Sequence, residues 1–281
     1  MGARGSRRAR NVAVVRHNRH MWYTALDAHV AHLRAAGRAS TTIRLRSQHL
    51  ARLFSWLNCD PYEATADRLV DYMAAHTWAP ETRKSIRASV RGFYAWAVEA
   101  GHIEADPSTR LPSVTVTTPI PHPTPDEVWR EAKATTDPRT LLMLNLAALA
   151  GLRRAEIAGL HTDDLVAGNL RIVGKGGKER RVPAHPILED ALRELPRGYV
   201  FPGKDGGHLS PDRVGRIMAA ALPGEDWTAH SLRHRFATRA YAGQRDLLTV
   251  QQLLGHSSVA TTQRYTQVPD DALRRAVLDV A

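Results

Sequence analysis

Cysteine, lysine and long apolar runs are what this sequence of 281 residues has least of. Its single cysteine, Cys59, excludes an internal disulfide framework and a cysteine-based zinc site, and it points to a reducing compartment. No apolar run approaches the ~18 residues that span a bilayer. The basic N-terminus lacks the apolar stretch of a secretory signal. The expected setting is therefore cytoplasmic, with no membrane partner. Lysine is scarce, at five residues beside 34 arginines. Arginine codons are GC-rich, so a GC-rich genome accounts for most of that imbalance, and each remaining lysine becomes more informative.

What is present is positive charge and enough apolar material for packed cores. Hydrophobic residues make up 43% and charged residues 24%, with a formal net charge of +11. Such a balance favours a polyanionic partner, nucleic acid first and an anionic membrane second. The charge is uneven. Residues 1–20 hold six arginines and no acid, and read as a basic flexible arm that either touches phosphates or is simply solvated.

The length suits two domains. Residues 21–105 show apolar residues at helical spacing in four stretches, Trp22–Ala36, Thr41–Leu57, Thr65–His76 and Glu81–Ala100. Ser40 is placed to cap the second helix, Pro80 to start the fourth, and Gly37 and Gly101 to end helices. Tyr23, Tyr72, Tyr94 and Tyr241 read as core residues. Arg44, Arg46, Arg83, Lys84, Arg87 and Arg91 fall on exposed faces of this bundle and are its candidate phosphate contacts, the competing reading being an ordinary solvated surface. Residues 106–124 form a proline-rich linker. Its stretch from Leu111 to Pro123 spans about 40 Å at ~3.1 Å per residue, enough to pass beside a duplex.

Residues 125–281 form the second domain, with Thr124 as cap of its first helix. Leu141–Ala150 is apolar on nearly every face and predicts a buried central helix. Leu170–Val173 and Arg180–Pro183 flank a Gly-rich turn and predict a β-hairpin. Helices follow at about 186–195, 210–222, 229–242, 246–254, 258–267 and 270–279. The fold class is thus mainly α with a small β-hairpin or sheet.

Four clusters in this domain carry chemistry, each weak alone. In the first, Gly151-Leu152-Arg153-Arg154-Ala155-Glu156-Ile157, Arg153 enters the first turn of a helix, where free N–H groups and the macrodipole attract anions. Its guanidinium fork suits two phosphate oxygens. The second is the hairpin tip with Lys175 and Lys178, either of which can donate a proton because lysine pKa values shift readily. The third is His230-Ser231-Leu232-Arg233-His234, where i, i+3 spacing puts His230 and Arg233 on one face. A metal site on His230 and His234 lacks further ligands nearby; inactivation by a chelator would revive it. The fourth is Leu254-Gly255-His256, followed by Thr261-Thr262-Gln263-Arg264-Tyr265. Together they supply cations for a phosphate, a proton donor and a tyrosine nucleophile, the needs of phosphoryl transfer without a cofactor.

In that order the motifs resemble the tyrosine recombinase family, the lambda-type phage integrases and bacterial Xer recombinases. The resemblance covers roughly residues 124–267, and the helical bundle before it is similar in architecture to the family's core-type DNA-binding domain. Against the resemblance to phage integrases, which often carry an arm-type domain at the N-terminus, the basic arm of residues 1–20 is the segment expected to stand in that place. What the resemblance implies is a catalytic set of Arg153, Lys175, His230, Arg233, His256 and Tyr265, with no cofactor or metal. Tyr265 attacks the scissile phosphodiester to form a 3′-phosphotyrosyl link; Arg153 and Arg233 hold the non-bridging oxygens; Lys175 protonates the leaving 5′-oxygen, with Lys178 as its competitor. His230 assists proton transfer at the tyrosine and His256 hydrogen-bonds the phosphate. Glu156 braces the Arg153 helix. The implied partners are double-stranded DNA at a core site and a homotetramer on two sites, with an accessory directionality factor left open. The last helix, about 270–280, would dock on a neighbouring protomer. The resulting expectation is a DNA-associated integrase of a phage or mobile element in a bacterial host cell. Alternatives are Xer-type resolution of chromosome or plasmid dimers, a type IB topoisomerase, and a non-catalytic DNA-binding regulator.

Overall fold

A computed structural model of the chain describes residues 20–117, 121–174 and 177–255. It divides into two compact units between Thr118 and Pro119. The first unit is all helical: α1 (described over 20–35), α2 (Ser40–Leu57), α3 (Ala66–Ala74) and α4 (Pro80–Glu99). Helical spacing puts Leu50, Leu53, Phe54 and Leu57 on the buried face of α2, and Ile86, Val90, Phe93, Tyr94 and Ala97 on that of α4. Those faces make one core with Leu69, Tyr72 and Met73. The hydroxyl of Tyr94 donates to the Pro61 carbonyl at 3.0 Å.

Some expected details differ. Ser40 is the first helical residue of α2, not its cap; Ala39 holds the cap position and no side chain bonds there. Tyr23 is 65% exposed, because it faces away from the side of α1 that buries Ala25 and Leu33. Tyr241 is only half-buried. A short 3₁₀ helix, Pro107–Arg110, buries Ser108, and Leu111 lies in the first unit's core.

In the second unit α5 (Asp126–Thr135) leads into α6 (Pro138–Ala150), whose residues Leu142–Ala148 are all buried. Around α6 pack α7 (Arg154–Ala158), α8 (Pro186–Arg193), α9 (Pro211–Ala220) and α10 (Ala229–Gln244), and α11 (Leu247–Leu254) packs on α10. The expected hairpin is part of a three-stranded antiparallel sheet, β1 (Leu165–Val166), β2 (Asn169–Val173) and β3 (Glu179–Pro183). β2 and β3 pair with Leu170 opposite Val182 and Ile172 opposite Arg180. Leu170, Ile172 and Val182 face the core. Thr124 does not cap α5. It is buried, and its hydroxyl donates to Ser231 Oγ at 2.9 Å, so it anchors the start of the unit to α10. The segments expected as helices 258–267 and 270–279 lie outside the described residues.

Candidate active site

α6 ends at Gly151, whose φ of 65° is left-handed. An ideal Cβ there would sit 2.4 Å from Cδ1 of Phe236, so the position admits only glycine without displacement. This sharp end turns the chain so that α7 begins three residues later, with Arg153 at its cap position. Glu156, one turn on, reaches back: Oε2 accepts from the Arg153 backbone N–H at 2.8 Å and Oε1 from Arg153 Nη1 at 2.8 Å. Half of a capping box thus forms, and the Arg side chain donates where a Ser or Thr would accept.

Glu156 is also held from the sheet. Arg180 on β3 donates Nη1 to Oε1 and Nη2 to Oε2, both at 2.8 Å. The carboxylate's side chain is only 4% exposed. Burial alone pushes its pKa up. The bidentate Arg180, then the Arg153 N–H, outweigh that and hold it at about 2. It is ionised at every physiological pH.

Arg233 comes from the opposite side, on α10. It is 2% exposed. Its Nη1 donates to the Gly151 carbonyl and its Nη2 to the Leu254 carbonyl, the latter at 2.7 Å. Both acceptors sit at helix C-termini, where unpaired carbonyls and the macrodipole favour a cation. Nη1 also lies 4.0 Å from Glu156 Oε2. His230, one turn earlier on α10, is set by Thr228, whose Oγ1 accepts from the His230 N–H at 3.2 Å. Its ring stacks edge-on to His234 at 4.2 Å. Desolvation first, then Arg233 and Arg153, lower its pKa, which favours the neutral imidazole that can accept a proton.

Arg153, His230 and Arg233 line one cavity of about 680 Å3, walled by α7, α9 and the start of α10. Three of the six expected catalytic residues are therefore brought together. Lys175, His256 and Tyr265 lie outside the described residues. Lys178 is exposed beside the hairpin turn. No group of three or more metal-ligating side chains occurs among the described residues.

The expected contacts of the first unit separate. Arg44, Lys84 and Arg91 are exposed. Arg83 and Arg87 turn inward instead: Arg83 donates to the carbonyls of Met73 and His76, and Arg87 to that of Leu111 at 2.9 Å. Their donors satisfy backbone groups of their own unit, which corrects the reading of one uniformly exposed basic face. Arg46 is half-buried, near Gly92.

Arg180 was not singled out from sequence, though a signal existed. In a strand it alternates with Val182 on the inward face. A cation at a core-facing strand position demands a buried anionic partner, and Glu156 is that partner.

The pattern described as the Phage integrase family matches residues 126–271. Tyrosine recombinase XerD of Caulobacter vibrioides is 32% identical over 288 residues, covering 91% of this chain and 94% of that protein. Tyrosine recombinase XerC of Rhodospirillum centenum is 36% identical over 216 residues, covering 68% of this chain and 63% of that protein. In fold, the chain is similar to a lambda integrase dimer bound to a core site, with a TM-score of 0.71 at 20% identity over 86% of this chain and 76% of that one. It is also similar to the XerH recombinase bound to its difH substrate in a post-cleavage complex, with a TM-score of 0.66 at 21% identity over 86% of this chain and 81% of that one. The two arginines and the histidine gathered on one cavity, and these likenesses, give one conclusion: the chain belongs to the phage integrase family of tyrosine recombinases, enzymes that cleave and rejoin DNA.

Proposed function

We propose that this protein exchanges strands between two DNA sites through a 3′-phosphotyrosyl intermediate, with Tyr265 as nucleophile. The observation that carries the reading is the shared cavity of Arg153, His230 and Arg233, underpinned by one ionised carboxylate. Two guanidiniums beside a neutral imidazole suit a phosphodiester: the cations offset charge on the non-bridging oxygens, and the imidazole accepts the tyrosine proton. A free tyrosine titrates near ~10, so deprotonation within the site is required. Lys175 then protonates the departing 5′-oxygen, and His256 hydrogen-bonds the phosphate. The covalent link conserves the phosphodiester energy, so no nucleotide cofactor is consumed. A 5′-hydroxyl of the partner duplex attacks the phosphotyrosine, and two rounds separated by a four-way junction complete the exchange in a tetramer on two sites.

The helical first unit then holds the duplex with the catalytic unit, the proline-rich segment joins them, and residues 270–280 dock on a neighbouring protomer. Truncation at Pro269 tests the docking: unchanged synapsis would remove it. For the biological setting, alignment with XerD over 91% of this chain favours Xer-type resolution of chromosome or plasmid dimers. Integration of a phage or mobile element rests on the arginine-rich arm. The deciding chemical experiment uses a nicked DNA substrate that traps the covalent adduct. Wild-type protein should accumulate adduct on a 3′-phosphate, and Tyr265→Phe should bind DNA but form none. Recombination by Tyr265→Phe would eliminate the nucleophile assignment. Relaxation of supercoils without exchange between two marked sites would move the protein to the topoisomerase class.

A further inference from the structure

We propose that Arg180 is a positioning residue for the cleavage reaction: it offsets the charge of Glu156, so that the guanidiniums of Arg153 and Arg233 remain available to the scissile phosphate, and it ties the hairpin to the end of α11. This rests on the reading above that Arg153 and Arg233 hold the phosphate.

The geometry is built on one side chain. Arg180 comes from β3, opposite Ile172, and its side chain is 11% exposed. Every nitrogen of its guanidinium is committed. Nη1 and Nη2 grip the two oxygens of Glu156, and Nε donates to the Leu253 carbonyl at 3.0 Å. One residue thus joins three elements that each lead to an expected catalytic group. Arg153 caps α7, β3 belongs to the hairpin of Lys175, and the Gly255 cap of α11, two residues after Leu253, precedes His256 in the sequence. A glycine makes room on one side: an ideal Cβ on Gly255 would lie 2.8 Å from Arg180 Cδ. Arg180 is absent from the residues that line the cavity, so it acts through its neighbours.

The charge count gives the consequence. Glu156 carries one buried negative charge among three arginines: Arg180 with two hydrogen bonds, Arg153 with one from its side chain, and Arg233 at 4.0 Å. Without Arg180, the carboxylate would be compensated only by the two arginines that face the phosphate. A buried charge that loses its partner recruits the nearest cation. Arg153, which already donates to Oε1, would be held more tightly there, Arg233 would close its 4.0 Å gap to Oε2, and the phosphate would lose both charge and alignment.

The test measures DNA affinity and single-turnover adduct formation separately, on the nicked substrate with full-length protein, for Arg180→Met, Arg180→Lys, Glu156→Gln and the double variant Glu156→Gln/Arg180→Met. Arg180→Met should slow adduct formation on the order of 10- to 100-fold, the usual effect of misplacing a reacting group by about 1 Å, with affinity within about threefold. Arg180→Lys keeps the charge without the fork and should be intermediate; it carries the test if Arg180→Met does not fold. Removing the carboxylate as well should recover adduct formation about tenfold or more over Arg180→Met, which a merely structural defect would not do. Wild-type rates in Arg180→Met and Arg180→Lys would overturn the proposal, as would a double variant no faster than Arg180→Met. Absence of adduct from the wild-type protein, or adduct from Tyr265→Phe, would instead overturn the reading on which it rests.

Discussion

Gly151→Ala probes the joint on which the site is built. Gly151 has φ 65°, and its carbonyl accepts the Arg233 Nη1 hydrogen bond. An alanine there suffers twice. The left-handed conformation costs a residue with a Cβ about 1–2 kcal/mol. The new methyl would lie 2.4 and 2.7 Å from Cδ1 and Cε1 of Phe236 and 3.2 Å from Leu254 Cδ2, overpacking that costs about 1–3 kcal/mol. The sum is about 2–5 kcal/mol. Gly206 separates the two terms: its φ is 74° and nothing lies within 4 Å of an added Cβ, so Gly206→Ala should cost only the backbone term. Urea unfolding of both variants and the wild type gives the difference, expected at about 1–3 kcal/mol. Phe236→Leu in the Gly151→Ala background should return part of it. Because Phe236 sits three residues after Arg233 on α10, Gly151→Ala should also lower adduct formation, and Gly206→Ala should not. Equal stability of the two alanine variants would falsify the packing argument.

Two further outcomes are expected. His29 is buried against Phe93 and Trp96 with neither ring nitrogen hydrogen-bonded among the described residues, and desolvation first, then His32 and Arg46, hold its pKa at about 4. Its unfolded value is 6.5, so the unfolded chain binds a proton first as pH falls; stability is full above pH 6.5 and drops by about 3 kcal/mol by pH 4. The stability gap between His29→Phe and wild type should therefore shift in favour of the variant across that range, and a gap constant with pH would contradict it. In the first unit, Arg83→Met and Arg87→Met should lower thermal stability, because they leave the carbonyls of Met73, His76 and Leu111 unpaired. Lys84→Ala with Arg91→Ala should spare stability and reduce the salt dependence of DNA binding by about two charges; the reverse pattern would show the inward and outward cations misassigned.

The local elements were legible because their causes are local. Periodicity marked α2 and α4, an apolar run on nearly every face marked α6, glycines at left-handed positions marked helix ends at Gly37, Gly101 and Gly151, and the Gly-rich turn marked the β2–β3 hairpin. The residue types and order of the four clusters named the chemistry, since phosphoryl transfer requires cations, a proton donor and a nucleophile whatever the fold. Tertiary structure decided how each side chain is spent. Arg83, Arg87 and Arg91 share one helix and one composition, yet two of them close backbone carbonyls and one faces solvent. Thr124 looked like a cap until Ser231, 107 residues away, took its hydroxyl. Arg180 looked like a strand residue until Glu156 met it across 24 residues. A guanidinium's role depends on which acceptor is nearest in space and how much water is excluded there, and neither quantity is a property of sequence neighbours. Thus the lone Cys59, the five lysines and the order of Arg153, His230, Arg233 and Tyr265 along the sequence pointed to the class of reaction, whereas the charge balance around Glu156 exists only once three distant segments are packed together.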